Sequence, residues 1–320
     1  MSTKIHRLIR RAGRVSVGPV ADHIATIVSA RVEGPLDESL DRKLAVLSRQ
    51  VDSTDSNRRI TQQLLFHQYQ MRRDLRLPMP SFGDTGFRVY SQSDEDGLLL
   101  YVFSLIGMRT RVCVDVASGV PDGANSTNLI RNWGFRGLLF EADEQKVNQA
   151  RAFFAHPDTN VFPPYIKRAM ITAENINELI AEEASGEIDL FSLDMDGVDY
   201  WIWKALYAVR PRVVICEFNS YWGAEQSVTI PYNPLFTRPH KNYWGASLPA
   251  FVKLASEKGY RLVGINRYGY NAIFVRNELA TDLLPTVSPQ QCLQGPLVDG
   301  WRSLRFADFP DTTKHPWVEV

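Results

Sequence analysis

Several acidic residues of this chain stand at the ends of apolar runs, where a folded sheet would gather them. Asp194-Met195-Asp196-Gly197-Val198-Asp199 follows Ile188–Leu193, and Glu217-Phe218-Asn219 follows Arg212–Cys216. If the two runs are neighbouring strands, Asp194, Asp196, Glu217 and Asn219 surround one crevice. Clustered oxygen atoms suit a hard cation such as Mg²⁺, and one carboxylate could equally serve as a general base. A plainer account makes Asp196-Gly197 a turn and Asp199 a helix cap. That account leaves Glu217, beside an apolar strand end, without a role.

Two further acids sit in comparable places. Asp115 ends the run Arg111–Val114 and leads into Val116-Ala117-Ser118-Gly119-Val120-Pro121-Asp122-Gly123. Glycines there let backbone approach a ligand closely, and the acid can hold a cationic or hydroxylated group. The segment is not G-x-G-x-x-G, and Pro121 argues against a dinucleotide pyrophosphate; an ordinary strand-to-helix turn stays open. Glu141 ends Gly137–Phe140, 26 residues after Asp115. An acid at that point reaches ribose hydroxyls in nucleoside-binding sheets. Asp143 reads as the cap of the next helix.

Residues 220–246 form a long insertion rich in aromatic side chains and punctuated by Pro231, Pro234 and Pro239. A loop of that length in a compact domain is functional or disordered, and its aromatic content favours a lid or substrate platform. It carries His240, the best placed of six histidines for acid–base work, though a structural histidine is the commoner case.

These residues need a frame. From about residue 88, short apolar runs alternate with helical segments: strands over 111–116, 137–141, 165–170, 188–194 and 212–217, with helices between them. Such alternation predicts a doubly wound α/β sheet, mostly parallel and covered on both faces. The last two strands, 260–265 and 271–275, are too close for a crossover and predict a C-terminal antiparallel hairpin. Ahead of this body, residues 1–80 read as a basic tail and a helical arm. Leu40, Leu44, Leu47 and Val51, then Ile60, Leu64, Met71 and Leu75, give two amphipathic helices or one interrupted at Asp52–Asn57. Such helices could join subunits into a homo-oligomer or pack back on the body.

The 36 basic and 36 acidic residues of this 320-residue chain cancel, which excludes a broadly basic nucleic-acid binder. The sum hides a split: residues 1–80 carry 14 basic and 8 acidic side chains, so the body is acidic. Lys4, Arg7, Arg10, Arg11 and Arg14 could give the tail weak peripheral contact with a membrane, or simply solvate it. Cys113, Cys216 and Cys292 lack metal-ligand spacing and read as reduced thiols of a cytoplasmic protein. No apolar run approaches the roughly 20 residues of a membrane helix.

In this order the motifs resemble class I S-adenosylmethionine-dependent methyltransferases, and within them the FkbM-like branch. The carriers are Asp115–Gly123, Glu141, Ile188–Gly197 and the segment Ser91-Gln92-Ser93-Asp94-Glu95-Asp96-Gly97. The likeness spans roughly 88–277, with Asp196 where that branch usually has Glu, and with Ser118 and Pro121 in the cofactor loop. The resemblance implies a Rossmann-like methyltransferase sheet over 81–320. It also implies a cofactor site of Gln92, Asp115, Gly119, Glu141 and Asp194, with Asp115 and Gly119 at the methionine end and Glu141 on the ribose. Asp194 or Asp196 with Glu217 and Asn219 looks like the ligand set of metal-dependent O-methyltransferases, with Asp196 or His240 removing the acceptor's proton. The expected activity is O-methylation of a sugar or glycan-like hydroxyl, as in polysaccharide biosynthesis. Two other readings stand beside it: a Mg²⁺-dependent nucleotide-sugar-binding transferase, and a non-catalytic scaffold assembled through the helical arm.

Overall fold

The computed structural model describes residues 38–155, 163–306 and 314–320, with side chains from residue 56 onward. The basic tail and its five cations therefore lie outside the described residues, as do the side chains of Leu40, Leu44, Leu47 and Val51. Contacts divide the chain after Gln68.

Helix α1, Glu38–Asp74, is continuous across the boundary. The turn-prone Asp52–Asn57 stretch does not interrupt it, so the two-helix alternative fails. Ser, Thr, Asp and Asn each cost only about 0.7 kcal/mol or less in a helix interior, and the flanking segments carry them. Ile60, Leu64, Met71 and Leu75 are all exposed.

The body is a seven-stranded sheet in the order β3-β2-β1-β4-β5-β7-β6. Its strands are β1 (Val112–Val116), β2 (Arg136–Glu141), β3 (Tyr165–Arg168), β4 (Gly186–Leu193), β5 (Val209–Glu217), β6 (Tyr260–Ile265) and β7 (Asn271–Arg276). The first five run parallel, and β7 is inserted antiparallel between β5 and β6. This is the doubly wound, mostly parallel sheet expected, with its antiparallel hairpin. The strands read as unbroken apolar runs because helices cover both faces. Helix α2 (Glu95–Ile106) is buried over nearly its whole surface, from Leu98 to Leu105. Helices α3 (Thr127–Trp133) and α4 (Glu144–Phe154) follow β1 and β2, and Asp143 caps α4 by accepting from Gln145 and Lys146 N–H groups. Helix α5 (Ile176–Ala181) follows β3. On α6 (Asp199–Ala205), Trp203 packs against Phe274 of β7 and against Phe251 of α7 (Leu248–Glu257). Cys113 and Cys216 are fully buried thiols whose pKa burial pushes up, as apolar strand positions require. Two short helices follow the hairpin, α8 (Pro289–Cys292) and α9 (Pro296–Arg305).

One acid on β4 belongs to the frame rather than to chemistry. Asp189, midway along β4, is wholly buried. It accepts from the backbone N–H groups of Arg109, Thr110 and Arg111 and from Arg212 at 2.8 Å. It thereby fixes where β1 begins against β4, and so where Asp115 ends up.

Candidate active site

Register brings the catalytic candidates together. Leu193 of β4 pairs with Cys216 of β5, so Asp194 and Glu217, one residue further on, meet at the carboxyl ends of the two strands. Asp115 of β1 lies opposite Ser192 of β4. This is the crevice at which open α/β sheets bind ligands. It holds a cavity of about 700 Å³, within the range of cofactor sites.

Beyond Leu193 the chain turns sharply. Asp196 adopts φ 55°, a left-handed conformation that Asp tolerates better than most residues bearing a side chain. Asp199 holds the turn from below, accepting from Met195 N–H at 2.7 Å and Gly197 N–H at 3.0 Å. It is therefore not the cap of α6, whose cap position is Val198, but a brace for the turn before it. Gly197 must be glycine because a Cβ there would lie 2.8 Å from the ring of Phe236 in the insertion. The result is that Asp194, Asp196 and Glu217 each offer an oxygen, all within 4.8 Å of one another.

Three carboxylates this close repel one another. Burial, then the charges of Asp199 and Asp196, raise the Asp194 pKa to about 7. Burial and the Asp194 charge push Glu217 well above the ordinary carboxylate range. Glu217 Oε2 is buried and receives no hydrogen bond from any donor. A proton shared with Asp194 makes the pair tolerable, and a cation would do so in its place. Asp115 is also pushed up to about 6, chiefly by burial, while the Ser126 N–H donates to it at 3.3 Å.

The rest of the cavity wall comes from the turn after β1 and from the segment before α2. Gly119 N–H donates to Glu141 Oε2 at 2.9 Å, and Asp143 N–H to Glu141 Oε1 at 2.8 Å. Glu141 thus braces the glycine turn from behind and does not itself line the cavity. Gly123 N–H donates to Tyr90 O at 2.6 Å, tying the turn to the stretch that presents exposed Gln92 to the cavity. That stretch is organised by Asp96, whose Oδ2 accepts from the N–H groups of Val89, Tyr90 and Ser91.

Two expected site residues are not brought in. Asn219 is completely buried and its amide is engaged: Nδ2 donates to the carbonyls of Asn242 and Trp244, and Oδ1 accepts from Tyr221 N–H. It ties the two ends of the insertion together, and Asp196 takes its expected place in the carboxylate group. His240 is half-buried outside the cavity, with Nδ1 accepting from Asn242 N–H at 3.2 Å. The insertion is ordered, but its aromatic residues pack inward or on the C-terminal segment, as Trp222 does on Trp317. Among the described residues it contributes to the cavity only Arg238, which forms an ion pair with Asp196.

The aromatic wall lies elsewhere. Tyr268 and Tyr270, from the β6–β7 turn, and Trp301 of α9 line the cavity together with Arg305. The sequence shows these aromatics but gives them no periodic or motif context. Cations also line it: Arg88, which pairs with Asp122 at 2.8 Å, and Lys146 at the start of α4.

No protein-family model and no curated protein matches the chain. Among solved structures it is similar to SAM-dependent methyltransferases. Magnesium protoporphyrin IX methyltransferase (ChlM) from Synechocystis PCC 6803 with bound SAH is 18% identical with a TM-score of 0.37, covering 65% of this chain and 92% of that one. WbdD is 19% identical at a TM-score of 0.32, over 52% of this chain and 35% of that one. The mitomycin 7-O-methyltransferase MmcR is 15% identical at 0.30, over 52% and 48%. Likenesses this distant transfer neither residue roles nor a substrate.

Proposed function

We propose that this chain is an S-adenosylmethionine-dependent O-methyltransferase of the FkbM-like kind, acting on a sugar or glycan-like hydroxyl with the help of a divalent cation. The observation that supports it most is that a glycine turn braced by Glu141 and a mutually repelling Asp194–Glu217 pair line one cavity. The turn and Glu141 suit the nucleoside end of the cofactor, and the buried acids suit a positive charge.

Asp115 and Gly119 would hold the methionine end, Gln92 would contribute from the facing segment, and Asp194 would lie near the sulfonium. S-adenosylmethionine would supply the methyl group, and Mg²⁺ held by Asp194, Asp196 and Glu217 would lower the pKa of the acceptor hydroxyl. The donor set fits such an ion: three carboxylates each offer an oxygen within 4.8 Å of the others, and Glu217 has a buried oxygen without a donor. Asp196 is the most exposed of the three and takes the acceptor's proton; Arg238 across from it orients that carboxylate. His240 is the alternative base, and needs a movement of the insertion to reach the cavity. In-line positioning by the cavity walls supplies much of the remaining acceleration.

Methyl transfer from labelled S-adenosylmethionine to a panel of mono- and oligosaccharides, with Mg²⁺ or with EDTA, tests this. Label appearing in a sugar ether, lost with EDTA, is the expected outcome. Label without metal dependence would remove only the ion.

The nucleotide-sugar transferase is a second reading with an observation of its own. Arg88, Lys146, Arg238 and Arg305 all line the cavity, more basic residues than the motifs alone supply. Two of them are already paired with acids, and a UDP-sugar that binds more tightly than S-adenosylhomocysteine would favour this reading. The exposed apolar row of α1 supports a homo-oligomer; Leu64→Glu with Met71→Glu should then lower the sedimenting mass while leaving cofactor affinity unchanged. Among the described residues no helix is long and apolar enough to cross a membrane.

A further inference from the structure

The wall formed by the β6–β7 turn and α9 is built firmly and serves no strand-end motif. Gly269, between the two tyrosines, sits so close to α9 that a Cβ there would be 3.0 Å from Val298. The rings of Tyr268 and Tyr270 are parallel, with centroids 6.5 Å apart, and Trp301 packs at 5.5 Å from Tyr270. The Arg305 guanidinium lies 5.7 Å above the Trp301 ring.

Position in the sheet gives this wall its role. In the order β2-β1-β4-β5-β7, the turn after β1 and the Glu141 brace lie on one side of Asp194, and Tyr268 and Tyr270 lie on the other. With the cofactor over β1 and β2, the space beside Glu217 and the aromatic wall is left for the acceptor. Charge narrows the chemistry further. Arg88 and Arg238 have carboxylate partners, whereas Arg305 has none among the described residues. Lys146, the other cavity cation without such a partner, starts α4 at the β2 end. Aromatic faces attract the C–H face of a pyranose, and an arginine over one of them suits a carboxylate or phosphate.

We infer that Tyr268, Tyr270, Trp301 and Arg305 form the acceptor subsite, and that it takes a sugar ring bearing an anionic substituent. Its role as an acceptor subsite rests on the methyl-transfer reading; its ligand chemistry does not.

Calorimetric titration of glucuronate, glucose 6-phosphate and glucose into the full chain, with and without S-adenosylhomocysteine, tests this. At least one anionic sugar should bind roughly tenfold or more tightly than glucose, the weight of one charge-assisted contact, and comparing the two distinguishes carboxylate from phosphate. Arg305→Gln should reduce that sugar to the level of glucose, and Trp301→Ala should weaken all three. Both variants should keep their affinity for S-adenosylhomocysteine. No binding of any sugar, equal binding of glucose and the anionic sugars, or an Arg305→Gln effect on S-adenosylhomocysteine alone would overturn the inference. Selective sugar binding without any S-adenosylhomocysteine heat would remove the methyl-transfer reading and leave the anionic-sugar site standing.

Discussion

Asp94, Glu95 and Asp96 stand at the start of α2, and Asp194, Asp196 and Glu217 stand at the ends of β4 and β5. Both groups put three carboxylates into a small volume, yet their surroundings differ. Asp96 takes three backbone N–H groups and the Ser91 hydroxyl, Glu95 takes Ser93 N–H and the amides of Asn266 and Asn271, and Asp94 meets Arg267. In the second group the acids face one another, with an oxygen of each within 4.8 Å of the others; a buried oxygen without a donor occurs in both groups, on Glu217 and on Asp94 and Asp96. Burial pushes Asp96 to about 6 and Asp194 to about 7, so a raised pKa alone does not separate the two groups. Donors do. A carboxylate surrounded by N–H groups is part of the frame, whereas one surrounded by carboxylates needs a ligand.

The contrast is broken most easily at Asp96. Asp96→Ala strands three backbone donors at about 1–3 kcal/mol each, an expected loss of about 4 kcal/mol or more. At 2–4 °C per kcal/mol for a body of this size, the melting temperature should fall by about 8 °C or more. A drop under a degree or two would show that the first group is not structural. Glu217→Gln should do the opposite: turnover down about 100-fold, with the melting temperature unchanged or higher and S-adenosylhomocysteine affinity within a few-fold. Equal loss of folding and turnover would move Glu217 into the frame. Asp115→Ala and Glu141→Ala should weaken S-adenosylhomocysteine about tenfold, the weight of one charge-assisted bond. An unchanged titration would remove both residues from the cofactor site.

The smallest expected effect concerns pH. Asp194 has a folded pKa of about 7 against an unfolded value near 4. Between those values the folded chain holds a proton that the unfolded chain has released. Stability therefore falls as pH rises from about 4 to about 7, and the protonated pair contributes most below that window. Mg²⁺ competes with the proton, so it should raise the melting temperature at pH 8 and hardly at all at pH 5. Asp194→Asn should flatten the pH dependence. A Mg²⁺ shift of equal size at both pH values would speak against ligation by this pair.

The frame was largely legible because its signals are local. Apolar runs such as Arg212–Cys216 and their terminal acids mark strand ends, and parallel register then carries Asp194 to Glu217. What sequence reading missed depended on long-range partners. Asn219 has the right chemistry for a ligand, but its amide is taken by carbonyls more than twenty residues away. The density of aromatic residues points to the insertion as the aromatic wall, yet Phe236 packs inward on Gly197 and Trp222 on Trp317. Trp301, alone on α9, becomes a wall only because Gly269 lets the hairpin turn meet that helix.

Calorimetric titration of S-adenosylhomocysteine into the full chain, with and without Mg²⁺, tests the central assignment most directly. Saturable one-to-one binding, weakened by Asp115→Ala and retained by Glu217→Gln, is the predicted result. Absence of binding under both conditions would contradict the account.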